Sequence, residues 1–161
     1  MSKEFEFLVN SHPDTVDVWR YDLDERSLEG FKTARTILAN RMGISASFGF
    51  FDEDVRLHLL SSYQQRLDQP SRTNSGVGSP FVSGMLQPSR LVENWIRRHP
   101  DSIKTSLYRV AVPRNRLIVP TQGNDLSLPD WQKNSLEVLV VGDIDRESIK
   151  ETKSVEWQNL V

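Results

Sequence analysis

Apolar and polar positions alternate most clearly near the N-terminus. Val16 and Val18 are interleaved with Asp17 and Trp19, the two-residue period of a strand. Residues 2–27 therefore read as extended. Continuing the strand puts Arg20 and Asp22 on the side of Val16 and Val18. A charged group there must sit at the strand end, in a cleft, or against a partner. The period then lengthens. Leu28, Phe31 and Leu38, with Ala34 between them, form a loose stripe that predicts a helix over 27–40. Ser27 is its candidate cap, and Gly30 weakens its first turn. Residues 41–51 are dotted with Gly and Ser and predict a turn or a short strand. Asp52 is a candidate cap for a second helix over 53–67, with Val55, Leu59, Leu60, Tyr63 and Leu67 on its buried face.

DQPSRTNSGVGSP at 68–80 crowds Pro, Gly, Ser and Asn together and reads as a loop. Phe81-Val82-Ser83 reads as extended. A third helix is expected over 89–99, capped by Ser89 and closed by Pro100, with Leu91, Val92, Trp95 and Ile96 on its apolar side. LYRVAV at 107–112, RLIV at 116–119 and EVLVV at 137–141 read as strands, with a loop carrying Gly123, Pro129 and Trp131 before the last. The tail over 148–157 is a final strand or a short helix. A strand, then helices, then mainly strands predicts an α+β fold rather than alternating β-α units.

Composition narrows the chemistry. The 161 residues amount to a single domain, 1–161. The absence of cysteine removes disulfides, thiolate metal sites and cysteine nucleophiles. Lys+Arg 20 against Asp+Glu 22 gives a formal charge of -2, which argues against a dedicated nucleic-acid binder. Arg97, Arg98, Arg109, Arg114 and Arg116 then read as ordinary solvated arginines. MSKEFEFLVN carries acids where a signal peptide needs an apolar run. No stretch approaches the ~20 apolar residues of a membrane helix. These features predict a cytoplasmic protein, or one exported by a signal-independent route.

His12, His58 and His99 have no short spacing between any two, so no metal site is expected. NSGVGS at 74–79 lacks the Lys-Ser/Thr of a phosphate loop. Ser83 is followed by Gly84 but lacks the preceding glycine of a nucleophile elbow. Glu137 heads the strongest strand. A carboxylate there is either an edge charge that blunts pairing or a site residue, and the pair Arg20-x-Asp22 is equally open.

Three separated segments taken together favour the second option. VWRYDLD at 18–24, SPFVSG at 79–84 and NSLEVLVVGDIDRESI at 134–149 resemble the mono-ADP-ribosyltransferase toxins. The likeness is closest to the enzymatic A chain of pertussis toxin, within the cholera-toxin-like group. In that family an N-terminal strand carries an arginine in a Val-Tyr-Arg-Tyr-Asp-like segment, matched by Val18-Trp19-Arg20-Tyr21-Asp22. A second strand carries a Phe-Val-Ser-Thr-Ser-like segment, matched by Phe81-Val82-Ser83 before the chain departs at Gly84-Met85. The catalytic glutamate heads a late strand, matched by Glu137, with Ile144 seven positions on and Asp145 where proline is usual. LYRVAVP at 107–113 resembles the strand between them. The order and approximate spacing hold over roughly residues 16–155.

The resemblance implies an ADP-ribosyltransferase-like fold, two small sheets around an NAD cleft with flanking helices. NAD is the implied substrate, a protein the implied acceptor, and no metal is required. Arg20 would hold a phosphate or ribose oxygen, since a guanidinium fork suits a phosphate. Asp22 would steady Arg20 or face the adenosine ribose. Tyr21 is a cofactor-side candidate, although core packing serves it and Trp19 equally well. Ser83 would hold the nicotinamide ribose and brace Glu137. Glu137 would bond the ribose 2'-hydroxyl and stabilise the positive charge that develops as the glycosidic bond breaks. Two positions before Glu137 the family has Glu or Gln, which helps choose the acceptor; this chain has Ser135. That departure, with Gly84 and Met85, leaves an NAD glycohydrolase or a degenerate binding module as alternatives. The missing cysteines separate the chain from secreted relatives and fit an effector or toxin acting inside a cell.

Overall fold

The computed structural model describes residues 5–7, 14–51, 53–55, 58, 78–98, 100, 103–120 and 137–156. The predicted helix past 58, the loop at 68–77, the connection at 121–136 with Ser135, and His12 and His99 lie outside the described residues. Among the described residues seven strands form one antiparallel sheet. They are β1 (Phe5–Phe7), β2 (Thr15–Leu23), β3 (Phe81–Met85), β4 (Thr105–Pro113), β5 (Leu117–Pro120), β6 (Glu137–Val141) and β7 (Ile149–Ser154). Their spatial order is β1-β5-β6-β3-β2-β4-β7. Among the described residues the α-helices with both ends defined are α1 (Asp24–Ser27), α2 (Ala34–Met42) and α3 (Arg90–Arg98), and residues 53–55 and 58 are helical as well.

The α+β class, β3, and the late strands follow the sequence pattern. The first helix does not. Residues 27–40 split, with α1 ending at Ser27 and α2 beginning at Ala34. The physical reason is Gly30. It sits at φ +84°, where a Cβ would lie 2.3 Å from the Ile144 carbonyl oxygen. The chain turns there, and Phe31 forms an isolated bridge with Ile144 through bonds of 2.8 and 2.9 Å. Thr33, not Ser27, caps the helix that follows, its Oγ1 accepting from the Thr36 N–H at 3.0 Å. Asp143 fastens that cap, accepting from the Thr33 N–H at 2.8 Å and the Thr36 hydroxyl at 3.0 Å. Leu28, expected on the buried stripe, is 63% exposed. The third helix runs Arg90–Arg98 within the expected 89–99, with Val92 and Ile96 buried, while the Leu91 and Trp95 side chains lie outside the described residues.

The sheet is one hydrogen-bonded order, not two separate sheets, but it is narrow in the middle. β2 pairs with β4 over nine positions from Thr15↔Pro113 to Leu23↔Thr105, and β3 pairs with β6 over five. β2 and β3 pair at Trp19↔Met85 alone. One face buries Val18, Val82, Val110, Val138 and Val140 against Phe31, Tyr108 and Ile144. The other face has two clusters. Tyr21, Met85 and Leu107 pack under Val92 and Ile96 of α3, while Phe81, Ile118 and Leu139 pack with Val55.

Gly84 belongs to this narrow junction. A Cβ there would stand 2.1 Å from Val18 Cγ1 and 3.2 Å from the Trp19 carbonyl oxygen. β2 therefore lies directly on β3, and only the absence of a side chain permits the approach. Gly84→Ala is expected to cost about 1–3 kcal/mol by overpacking. Adding Val18→Ala removes the nearest atom and should return at least ~0.5 kcal/mol of that as coupling. Chemical denaturation of the single and double variants measures both. A Gly84→Ala protein as stable as the parent contradicts the close approach.

Candidate functional site

Past Trp19↔Met85 the two strands part, and Arg20 enters the fork. Its Nη1 donates to the Ser83 carbonyl oxygen at 2.6 Å. The guanidinium thus serves a main-chain acceptor where strand pairing has ended. Nε donates to Asp22 Oδ2 at 2.9 Å, and Nη2 lies 2.8 Å from the same oxygen. The guanidinium carbon stands 5.4 Å from the Phe31 ring centroid. Asp22 is 1% exposed and is well supplied with donors. Besides Arg20 it accepts from the Leu23 N–H at 2.7 Å and pairs with Arg26 at 3.3 Å. The sequence requirement that a charge beside Val18 be paired is met by these bonds.

Ser83 and Glu137 occupy neighbouring strands. In the β3/β6 register Met85 faces Glu137 and Ser83 faces Leu139. Opposed residues share a face, so Ser83 and Glu137 are diagonal neighbours, a separation of roughly 7–8 Å. Glu137 is 8% exposed at the head of β6. Trp19, Met85 and Glu137 form one row across three strands. At about 4.8 Å per strand the row spans roughly 10 Å of backbone. Arg20, the residue after Trp19, points to the opposite face. It meets the Ser83–Glu137 side only through the fork.

The structure thus brings Arg20, Asp22 and Ser83 into contact and sets Glu137 one strand away. Tyr21 is different. Its ring is 2% exposed in the core beneath α3, with Met85, Val92 and Ile96. Core packing accounts for it and for Trp19, which packs on the same cluster. Burial, reinforced by the Glu93 carboxylate and partly offset by Arg97, pushes the Tyr21 pKa from 10.0 to about 12. Tyr108 is also pushed to about 12, chiefly by burial. Its hydroxyl donates to Asp24 Oδ1 at 2.7 Å.

His58, which sequence spacing considered only as a metal ligand, lies in this site. It is 6% exposed. Its Nε2 lies 2.5 Å from Ser83 Oγ and its Nδ1 2.6 Å from Ser79 Oγ. The ring packs edge-on to Phe81, centroids 5.7 Å apart. Nothing in the sequence flags it, because its partners are 21 and 25 residues away. Arg35 was missed for the same reason. Its Nε donates to the Gly78 carbonyl at 3.1 Å, and its Nη1 to Ser47 O at 2.9 Å and to Gly49 O. Burial lowers its pKa, with Asp54 acting in the opposite direction. Arg35 thereby ties α2 to the segment that leads into β3.

A groove of about 540 Å³ lies along α2, walled by Leu38, Ala39, Met42, Ile44 and Phe51. Arg20, Ser83 and Glu137 do not line it. Three of the arginines read as solvated are engaged. Arg97 pairs with Glu93 at 3.1 Å, Arg109 with Glu151 at 3.0 Å, and Arg116 donates to the Val141 carbonyl at 2.9 Å. Among the described residues no group of three or more His, Asp or Glu could hold a metal ion, and no helix is long and apolar enough to cross a membrane.

With this geometry in view, known structures supply the frame. The chain superposes on EcPltA, a homologue of the pertussis-like toxin A subunit, with a TM-score of 0.50 and 17% identity over 88% of this chain and 76% of that one. The fold is similar to that of EcPltA. At that identity the likeness speaks for the fold alone. No protein-family model matches the chain, and no curated protein matches it in sequence.

Two outcomes follow from the site's geometry. Arg20→Ala strands the buried Asp22 with weaker partners and should cost about 3 kcal/mol. Arg26→Ala, at the half-exposed end of the same cluster, should cost under ~1 kcal/mol. Urea denaturation separates the two, and equal losses contradict the assignment of Arg20 as the main partner. The tyrosines set an alkaline limit. Because their folded pKa values of about 12 exceed the ordinary 10.0, the native state keeps protons the unfolded state has lost. Their contribution is fully present below about pH 10 and drains as pH rises towards about 12. Ultraviolet titration of Tyr21→Phe and Tyr108→Phe should each remove one late tyrosinate transition.

Proposed function

We propose that this chain is a mono-ADP-ribosyltransferase that moves ADP-ribose from NAD to a protein acceptor, acting as an effector or toxin inside a cell. The observation that carries the reading is the fork itself, where Arg20 is bonded to Asp22 and to the Ser83 main chain, with Glu137 on the next strand. A guanidinium has five N–H donors. Arg20 uses three towards Asp22 and Ser83. Two are left for phosphate oxygens, which fits the NAD pyrophosphate. The halves of the sheet on either side of Trp19↔Met85 act as the two walls of the NAD cleft.

In this mechanism Ser83 holds the nicotinamide ribose and Glu137 holds its 2'-hydroxyl. The bond between the ribose anomeric carbon and the nicotinamide nitrogen breaks, and nicotinamide leaves with the electron pair. Positive charge develops on the ribose, and the fixed Glu137 carboxylate stabilises it. The acceptor's nucleophilic atom closes on the same carbon and loses its proton. Ser135, two positions before Glu137 in the sequence, is the candidate that bears on acceptor choice. Gly84, where relatives carry a hydroxyl, is accounted for by its close approach to Val18.

A binding module without turnover is the second reading, favoured by the open groove along α2 that lies apart from Arg20 and Glu137. Incubation with labelled NAD distinguishes them. Wild-type protein should release nicotinamide and label a protein in host lysate, and Glu137→Gln should lower both by on the order of 10²-fold or more. Release without labelling identifies an NAD glycohydrolase. Neither release nor labelling by folded protein rejects turnover altogether.

A further inference from the structure

The groove along α2 lies apart from the transferase residues, and a buried cation lines it. Arg35 borders the groove and is 8% exposed. A guanidinium has five N–H donors. Three of those on Arg35 go to main-chain carbonyls: Nε to Gly78 at 3.1 Å, and Nη1 to Ser47 at 2.9 Å and to Gly49. Carbonyls carry no net charge, so these bonds orient the group without neutralising it. None of the described carboxylates forms an ion pair with Arg35. Asp54, also on the groove wall, accepts from the Phe51 N–H at 2.8 Å. Its charge offsets only part of the burial that opposes the charge of Arg35. Buried charges are ordinarily paired, because desolvation is costly without a counter-charge. The two Nη2 donors are the edge of Arg35 that these bonds leave over.

The rest of the groove is apolar and open. Met42, Ile44 and Phe51 on its walls are 64%, 57% and 82% exposed. Large apolar side chains gathered round a cleft mark a binding surface. The volume of about 540 Å³ falls within the range of small-molecule sites, roughly 300–1,000 Å³. We infer that this groove binds a small apolar carboxylate, such as a medium-chain alkanoate, with its carboxylate on Arg35 Nη2 and its chain along Leu38, Met42, Ile44 and Phe51. The ligand supplies the counter-charge that the fold withholds from Arg35, and its chain covers the exposed walls. A neutral apolar molecule would satisfy the walls but not the cation. The site does not depend on the transferase reading.

Calorimetric titration of the full chain with octanoate, and with 1-octanol as the neutral match, tests the pairing. Octanoate should bind saturably with a Kd below about 1 mM. Octanol should bind at least ~10-fold more weakly, the difference made by a hydrogen bond to a charged group. Substitution of Arg35 endangers the fold, because Arg35 also holds the Gly78 and Ser79 carbonyls. The groove is therefore altered at its exposed wall. Met42→Glu places a like charge beside the carboxylate and should weaken octanoate about 10-fold or more relative to Met42→Gln, with thermal unfolding the same in both. In methyl-labelled protein the Met42 signal, identified by its loss in Met42→Gln, should shift with octanoate, while that of buried Met85 stays in place. No saturable octanoate binding, equal binding of octanol, or equal affinity in the two Met42 variants overturns the inference. So does self-association that Met42→Glu abolishes without octanoate binding, which gives the groove to a second copy of the chain. Nicotinamide release is scored separately. Octanoate binding without turnover rejects the transferase reading alone, and turnover without octanoate binding rejects the groove ligand alone.

Discussion

The Arg20 guanidinium fills the place where this sheet is thinnest. β2 and β3 share one paired position, and beyond it the Ser83 carbonyl is met by a side chain instead of a strand. That side chain is held in turn by the buried Asp22 and lies against Phe31. Phe31 is bridged to Ile144 past the end of β6. One planar cation therefore connects β2, β3, the turn before α2 and the chain leaving β6. A lysine could supply the charge but not the fork, because it lacks a planar set of donors aimed in two directions. Stability and site geometry depend on the same group, so substitutions of Arg20 act on both.

Close backbone approach is the second constraint. Gly84 lets β2 lie on β3, and Gly30 lets the chain turn against the Ile144 carbonyl. These two contacts set how wide the fork is and where α2 begins. They also recast a difference from the toxin motif. Gly84 has the look of a lost hydroxyl when the motif is read as a string. In three dimensions it is a steric requirement imposed by Val18.

Local pattern carried much of the architecture. EVLVV matches β6 residue for residue, because a buried strand with a strong apolar run is dictated by its own composition. The alternation at Val16 and Val18 placed Arg20 among apolar neighbours and so required a partner, which is Asp22. The helix expected over 27–40 begins instead at Ala34, because its start is decided by Gly30 and by Asp143, more than a hundred residues away. His58 and Arg35 were invisible for the same kind of reason: their partners are main-chain carbonyls and serines assembled only by folding. Tyr21 stood inside a motif, yet strand alternation sends its ring to the core beneath α3. The motif identified the strand correctly without giving each of its residues a role at the surface.

The account rests on the fork between β2 and β3, and not the groove along α2, being the place where NAD binds. A crystal structure of the chain with NAD tests this most directly. The account predicts the pyrophosphate on Arg20 and the nicotinamide ribose between Ser83 and Glu137. NAD seated instead among Leu38, Met42 and Phe51, with Arg20 and Glu137 untouched, would contradict it.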